Sequence, residues 1–232
     1  GLFTLRAKEL APQAVVVSVE PAAQTCAALR GNLALNGLGE EVKVVQAAMG
    51  MQPGMATLCY YPWCQSNSTL CQAEREAAQA HLMNRGPVSR VEQVDVPIFT
   101  LSQLFDVHLR GQHVDGLEAV TRDAPASHVS LLKIDVEGAE LDVLRGVRSS
   151  DWALVSQVVI EVHDTGTRVR DVVTLLRGHA AFPYVALEKD EVLGPLGMDN
   201  HMVFARRTQA DTTMHGRAPP GDERDRDVLD ET

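Results

Sequence analysis

The 232-residue sequence has no cluster of Lys and Arg, and its net charge is −10 with a pI near 5.2. A surface that tracks phosphates needs clustered cations, so neither a nucleic acid nor an anionic membrane is expected as a partner. No apolar run approaches the roughly 20 residues that span a bilayer, and the basic-then-apolar pattern of a secretory leader is lacking. The chain reads as a soluble, cytoplasmic protein. Its four cysteines, Cys26, Cys59, Cys64 and Cys71, contain no C-x-x-C pair, and the histidines show no ligand-like spacing, so no metal site is expected. Reduced thiols are the plain reading.

An initiator Met is also lacking. The chain opens within an apolar stretch, Gly1-Leu2-Phe3-Thr4-Leu5, which places the expected true start upstream, together with any targeting segment.

What is present is an alternation of strands and helices. Residues 14–20 form a β-branched run ending at Glu20-Pro21 and read as a buried parallel strand. Helical spacing of Cys26, Leu29 and Leu33 predicts a helix from Ala22 to Leu35, stopped by Asn36-Gly37. Val42 to Met49 reads as one strand and Ala56 to Tyr61 as another, then a polar loop from Pro62 to Thr69 and a helix near residues 73–83. The stretch at about 55–90 reads as an insertion. Val91 to Ile98 alternates as an exposed edge strand would, and a short helix begins at Leu101.

Val129 to Ile134 is the most strand-like run, followed by Asp135, Glu137, Gly138 and an amphipathic helix to about Val147. A second βα unit follows in Gln157–Val162 and Val169–Leu176, and Pro183–Glu188 with Asn200–Ala205 reads as a closing antiparallel pair. The pattern predicts an α/β sandwich with a mostly parallel sheet over residues 1–207. Residues 209–232 hold 7 Asp and Glu against 3 Arg, with Pro219-Pro220, so an acidic disordered tail is expected from 208 to 232.

In such sheets ligands bind beyond the carboxyl ends of the strands, and Glu20, Asp135 and Glu161 stand there. An acid after a strand suits the hydroxyls of a nucleotide-like ribose. His163, two residues beyond Glu161 on the same strand face, has the pKa of a general base; Asp135 and Glu161 are the alternatives. The plainer reading of Asp135 and Glu137 is helix capping and favourable charge near a helix dipole. Asn67 and Ser68, near Tyr60, Tyr61 and Trp63, read either as a substrate-contacting lid or as a polar turn.

The segment Lys133-Ile134-Asp135-Val136-Glu137-Gly138-Ala139-Glu140 resembles the signature of FkbM-type S-adenosylmethionine-dependent methyltransferases. Val19-Glu20-Pro21, Asn32…Leu35-Asn36, Asn67-Ser68-Thr69 and Ile160-Glu161-Val162-His163 match in the family's order. The resemblance implies a Rossmann-like class I methyltransferase fold, a three-layer sandwich with an antiparallel closing hairpin, and methylation of a hydroxyl on a small molecule. It also implies S-adenosylmethionine as cofactor, with Gly1 near its methionine end, Glu20 and Pro21 at the ribose, and Ala47 and Ala48 at the adenine. Asp135 and Glu137 would also contact the cofactor, and Asp135 would border the methyl-transfer site.

One departure stands out: of the family's D-x-G-A-N-x-G loop only the last glycine, Gly1, is present. The first strand is expected to be missing with it, leaving neighbouring strands without backbone partners, poor folding and weak cofactor binding. Two alternatives follow. A nicotinamide-dependent oxidoreductase would share the glycine-to-acid spacing of Gly1 and Glu20, although no G-x-G-x-x-G is visible. A methyltransferase-like binding module without catalysis is the other.

Overall fold

Helix α1 (Leu2–Leu10) was not expected from the apolar opening stretch. It lies against β1 (Val16–Val19), with the hydroxyls of Thr4 and Ser18 2.9 Å apart, while the Phe3 ring sits 5.4 Å from the ammonium of Lys133. Lys8 on its buried face is only 3% exposed, yet its ammonium donates to the carbonyls of Pro12 and Ala14 and pairs with Glu41 at 2.8 Å. Those partners replace the water that a buried cation would otherwise lack.

This computed structural model describes residues 1–62, 68–70, 91–118, 126–163, 166–189 and 200–208. The expected helix at 73–83, Trp63, Asn67 and the acidic tail beyond residue 208 lie outside the described residues.

Helix α2 (Ala23–Leu35) buries Cys26, Leu29 and Leu33, the spacing that predicted it. The run Val42–Met49, expected as one strand, is broken: β2 (Val42–Val45) pairs parallel with β1, whereas β3 (Ala48–Met49) pairs parallel with β5 (Glu92–Phe99). Gln46 and Ala47 carry the chain from one ladder to the other. β4 (Gly54–Tyr60) pairs antiparallel with β5 on its other side, so β5 is the centre of the order β3-β5-β4. Its expected place at an edge is thus corrected. The alternating pattern reflects one exposed face of a small sheet, which looks the same in sequence as a true edge.

Helix α3 (Leu101–Arg110) runs further than the short helix expected. A reciprocal capping box, Thr100 with Gln103, opens it, and Gly111 closes it at φ 65°. β6 (Leu132–Ile134), α4 (Glu140–Arg145), a 3₁₀ turn (Ser149–Leu154), β7 (Gln157–His163) and α5 (Arg168–Arg177) form the expected βαβα succession. Val129 adds only an isolated bridge to Val155, so β6 is shorter than its β-branched run. β8 (Tyr184–Lys189) and β9 (Asn200–Arg206) close the sheet as an antiparallel pair in the order β6-β7-β9-β8.

Val158, Ile160 and Val162 point from β7 into the main core, where Leu144, Val172 and Leu176 from α4 and α5 meet them. All six are at most 1% exposed, and burial of each such side chain contributes about 1.5–3 kcal/mol before entropy is counted. The opposite face of β7 carries Val159, Glu161 and His163, which are only partly covered. That face supplies the polar site. Among the described residues, β1 pairs only with β2 and β6 only with β7, so each keeps one edge outside a ladder.

Candidate active site

β7 delivers its last residue, His163, between two carboxylates. Nδ1 lies 2.8 Å from Glu140 Oε1, and Nε2 lies 3.2 Å from Glu137 Oε2. Glu140 is fully buried at the start of α4, while the side chains of His163 and Glu137 keep about a fifth of their surface. Glu140 Oε1 also accepts the Gly138 amide at 2.9 Å. From α5, Arg168 donates to the His163 carbonyl at 2.6 Å and stands 3.9 Å from Glu140 Oε2.

The local backbone explains how two acids so close in sequence reach one ring. Glu137 and Gly138 take positive φ, 52° and 104°, turning the chain sharply after β6. Glycine adopts this region at no steric cost, whereas Glu137 must be held there. Thr69 does so by donating its hydroxyl to the Glu137 carbonyl at 2.6 Å. The plainer expectation of helix capping is not what these acids do: α4 has Ala139 as N-cap with no side-chain cap bond.

Burial by itself disfavours the charged imidazole of His163. The hydrogen bond the ring donates to Glu140 and the charges of Glu137, Glu140 and Glu161 outweigh it and hold the His163 pKa above the usual histidine range. Glu161 is bonded by Asn200 Nδ2 at 3.1 Å, and Asp135 pairs with Lys133 at 2.6 Å. Two expected site residues, Glu161 and His163, therefore share one region with Glu137, while Asp135 follows β6, the strand that pairs with β7.

Glu20 leaves β1 beside the end of β2, where its amide donates to the Val45 carbonyl at 3.0 Å. Pro21, Ala47 and Ala48 flank that exit, with Ala47 fully buried. Burial raises the Glu20 pKa, opposed by the Ala22 amide, which binds its Oε1 at 2.9 Å. A carboxylate in this position is stabilised by further hydroxyl donors. Gly1 packs on α2, where a Cβ would meet Leu29 Cδ1 at 3.1 Å. Ser68 accepts the Tyr61 amide through its hydroxyl at 3.3 Å; Asn67 lies outside the described residues. Among those residues, no three His, Cys, Asp or Glu side chains converge as a metal site, and no helix is long and apolar enough to cross a membrane.

Residues 2–182 match the family model of the methyltransferase FkbM domain. The chain belongs to the FkbM methyltransferase family. It is 35% identical over 215 residues to the 31-O-demethyl-FK506 methyltransferase FkbM of Streptomyces tacrolimicus, covering 90% of this chain and 77% of that protein. It is 37% identical over 168 residues to methyltransferase sdnD of Sordaria araneosa, covering 69% of this chain and 62% of that one. The crystal structure of a methyltransferase FkbM from Methylobacillus flagellatus KT shares the fold, with a TM-score of 0.52 at 13% identity, over 88% of this chain and 40% of that chain. The chain thus spans between two fifths and about three quarters of these relatives' lengths. The family is one of S-adenosylmethionine-dependent methyltransferases, which sets aside the nicotinamide-dependent alternative.

Two members of the site were not anticipated as such. Glu140 was visible as the last residue of the signature, but an acid at a helix start reads as a dipole partner. Arg168 gave no signal in sequence, because its role depends on where α5 packs.

Proposed function

We propose that this domain transfers a methyl group from S-adenosylmethionine to a hydroxyl of a small molecule. The observation that carries this reading is His163, held at the end of β7 between Glu140 and Glu137, where a base is required. The cofactor brings a methyl group on a sulfonium, already activated as an electrophile. The chain's own task is to align the acceptor and take its proton.

The donor set fits the cofactor. Glu20, half-buried with a raised pKa, would accept hydrogen bonds from the ribose hydroxyls, with Pro21 beside it. Ala47 and Ala48 offer small apolar surface for the adenine, and the Gly1 backbone would approach the methionine end. Asp135 and Glu137 border the transfer region. His163 takes the acceptor's proton at Nε2, and Asp135 or Glu161 would serve if His163 does not. Because Glu137 engages Nε2 in this structure, the acceptor hydroxyl takes the place of Glu137 on the ring. Ser68 and Asn67, on the segment tied to Glu137 through Thr69, would contact the acceptor.

Both curated relatives are named as methyltransferases, and the Streptomyces protein's name specifies a 31-O-demethyl substrate, which supports an oxygen acceptor here. Equilibrium dialysis with labelled S-adenosylmethionine, on a protein extended upstream through the glycine-rich loop and on its Glu20→Ala variant, tests the cofactor assignment. Binding weakened at least about tenfold by the substitution, the loss of one charge-assisted hydrogen bond or more, supports it. A folded protein that shows no binding would sink it in favour of a non-catalytic binding module.

A further inference from the structure

We propose that Glu140 is a positioning residue: its buried carboxylate holds His163 as the Nδ1–H tautomer and so makes Nε2 the nitrogen that receives the acceptor's proton. The proposal rests on the reading of His163 as the base.

The two carboxylates on the ring are not equivalent. Glu140 is 0% exposed and is fixed by a second bond, from the Gly138 amide to the same Oε1 that faces His163 Nδ1. An oxygen already accepting one N–H at 2.9 Å is set to accept the ring N–H at 2.8 Å as well, which places the ring proton on Nδ1. Among the described residues, Glu140 Oε2 has no hydrogen-bond partner, and Arg168 stands 3.9 Å from it, so the guanidinium is the nearby cation that offsets this buried charge. Arg168 also holds the His163 carbonyl, tying the ring's own backbone to the same cation. Glu137, by contrast, reaches Nε2 from a strained turn at a longer distance, 3.2 Å, and is partly exposed. The permanent partner is therefore Glu140, and the exchangeable one is Glu137.

Which ring nitrogen carries the proton is decided by the bond the other makes, and a base in the wrong tautomer presents an N–H to the acceptor instead of a lone pair. Among the described residues, the charged and polar groups facing His163 are Glu137 before α4, Glu140 on it, Glu161 on β7, Arg168 on α5 and Asn200 on β9. Among them only Glu140 contacts Nδ1, so the tautomer depends on it alone.

The test is long-range proton–nitrogen NMR on the full chain labelled with ¹⁵N-histidine, with His163 assigned from the signals lost in His163→Gln. Above its titration, wild-type His163 should show a protonated Nδ1 and a bare Nε2. Glu140→Ala should release or reverse that pattern. Glu140→Gln, which keeps an acceptor but not the charge, should retain the tautomer with a titration midpoint lower by on the order of one pH unit. Glu137→Gln should lower the midpoint and leave Nδ1 protonated. A wild-type ring with the proton on Nε2, or a folded Glu140→Ala protein with an unchanged tautomer, overturns the proposal. Should Glu140→Ala not fold, the wild-type and Glu137→Gln spectra decide. These spectra need no cofactor, so absence of S-adenosylmethionine binding beside the expected spectra would remove the methyl-transfer reading and leave the Glu140–His163 arrangement standing.

Discussion

The hydroxyl of Thr69 donates to the main-chain carbonyl of Glu137 at 2.6 Å, joining two segments 68 residues apart in sequence. Thr69 is itself 1% exposed and exchanges backbone bonds with Cys59 on β4. The segment between β4 and β5 thus supports the turn that aims Glu137 at His163. Thr69→Val keeps the shape and removes the hydroxyl donor to the Glu137 carbonyl, which should cost about 1–2 kcal/mol. Thr69→Ser should retain most of the stability. Hydrogen exchange at the Val136–Glu140 amides should accelerate in the valine variant and not in the serine one.

His163 makes opposite demands on pH for stability and for catalysis. Its pKa is raised on folding, so the protonated form stabilises the native state. That contribution is complete below the unfolded value of about 6.5 and disappears as pH rises through the folded value above it. Proton acceptance at Nε2 requires the neutral ring and should grow over the same range. A comparison of Tm against pH for wild type and His163→Gln should show the wild-type advantage shrinking above pH about 6.5. A parallel decline in both proteins would show that His163 is not the source.

Asp151 closes a network on another part of the molecule. It is 1% exposed and receives Arg148 at 2.8 Å and Arg110 at 2.5 Å, and both arginines also bind Asp106 on α3. Burial alone would raise its pKa, but the bonds from Ser102, Arg148 and Arg110 outweigh it and lower the value. Its stabilisation is therefore present above the unfolded carboxylate pKa and is lost as pH falls through the lower, folded one. Asp151→Ala leaves cations facing a buried gap and should cost about 3 kcal/mol, since both arginines still reach water. Denaturant unfolding at neutral pH checks the magnitude.

Gly146 ends α4 with an ordinary backbone angle, φ −74°, so its need for glycine is one of space. A Cβ there would run into the carbonyl oxygen of Gly50, just after β3. At this point the helix end and the strand exit approach each other through their backbones. Gly146→Ala forces them apart and should cost about 2–3 kcal/mol, with partners that are main chain and cannot rotate away. A Tm unchanged in this variant would show that the contact can relax.

Much of the site was readable along the chain because its parts sit at strand ends. Lys133 to Glu140 joins a strand, two acids and a glycine turn in eight consecutive residues, and Ile160 to His163 ends the next strand in an acid and an imidazole. Period-2 and period-3.6 patterns located most other elements for the same reason: each buries one face. The pattern failed where two environments share it. Val42–Met49 is apolar throughout, and nothing local marks Gln46-Ala47 as the point where the chain changes sheets. Leu2-Phe3-Thr4-Leu5 reads equally as strand or helix until Ser18 and Lys133 are placed beside it.

The sequence by itself determined the α/β alternation and the acids at the strand ends, because both rest on short-range spacing, and it carries the motifs through which the chain resembles the FkbM family. Tertiary structure alone decided that Glu140 is buried against His163, that Arg168 backs it, and that Thr69 holds Glu137 in its turn. Those contacts join residues 23, 28 and 68 positions apart, and no local pattern records a distance that only packing creates.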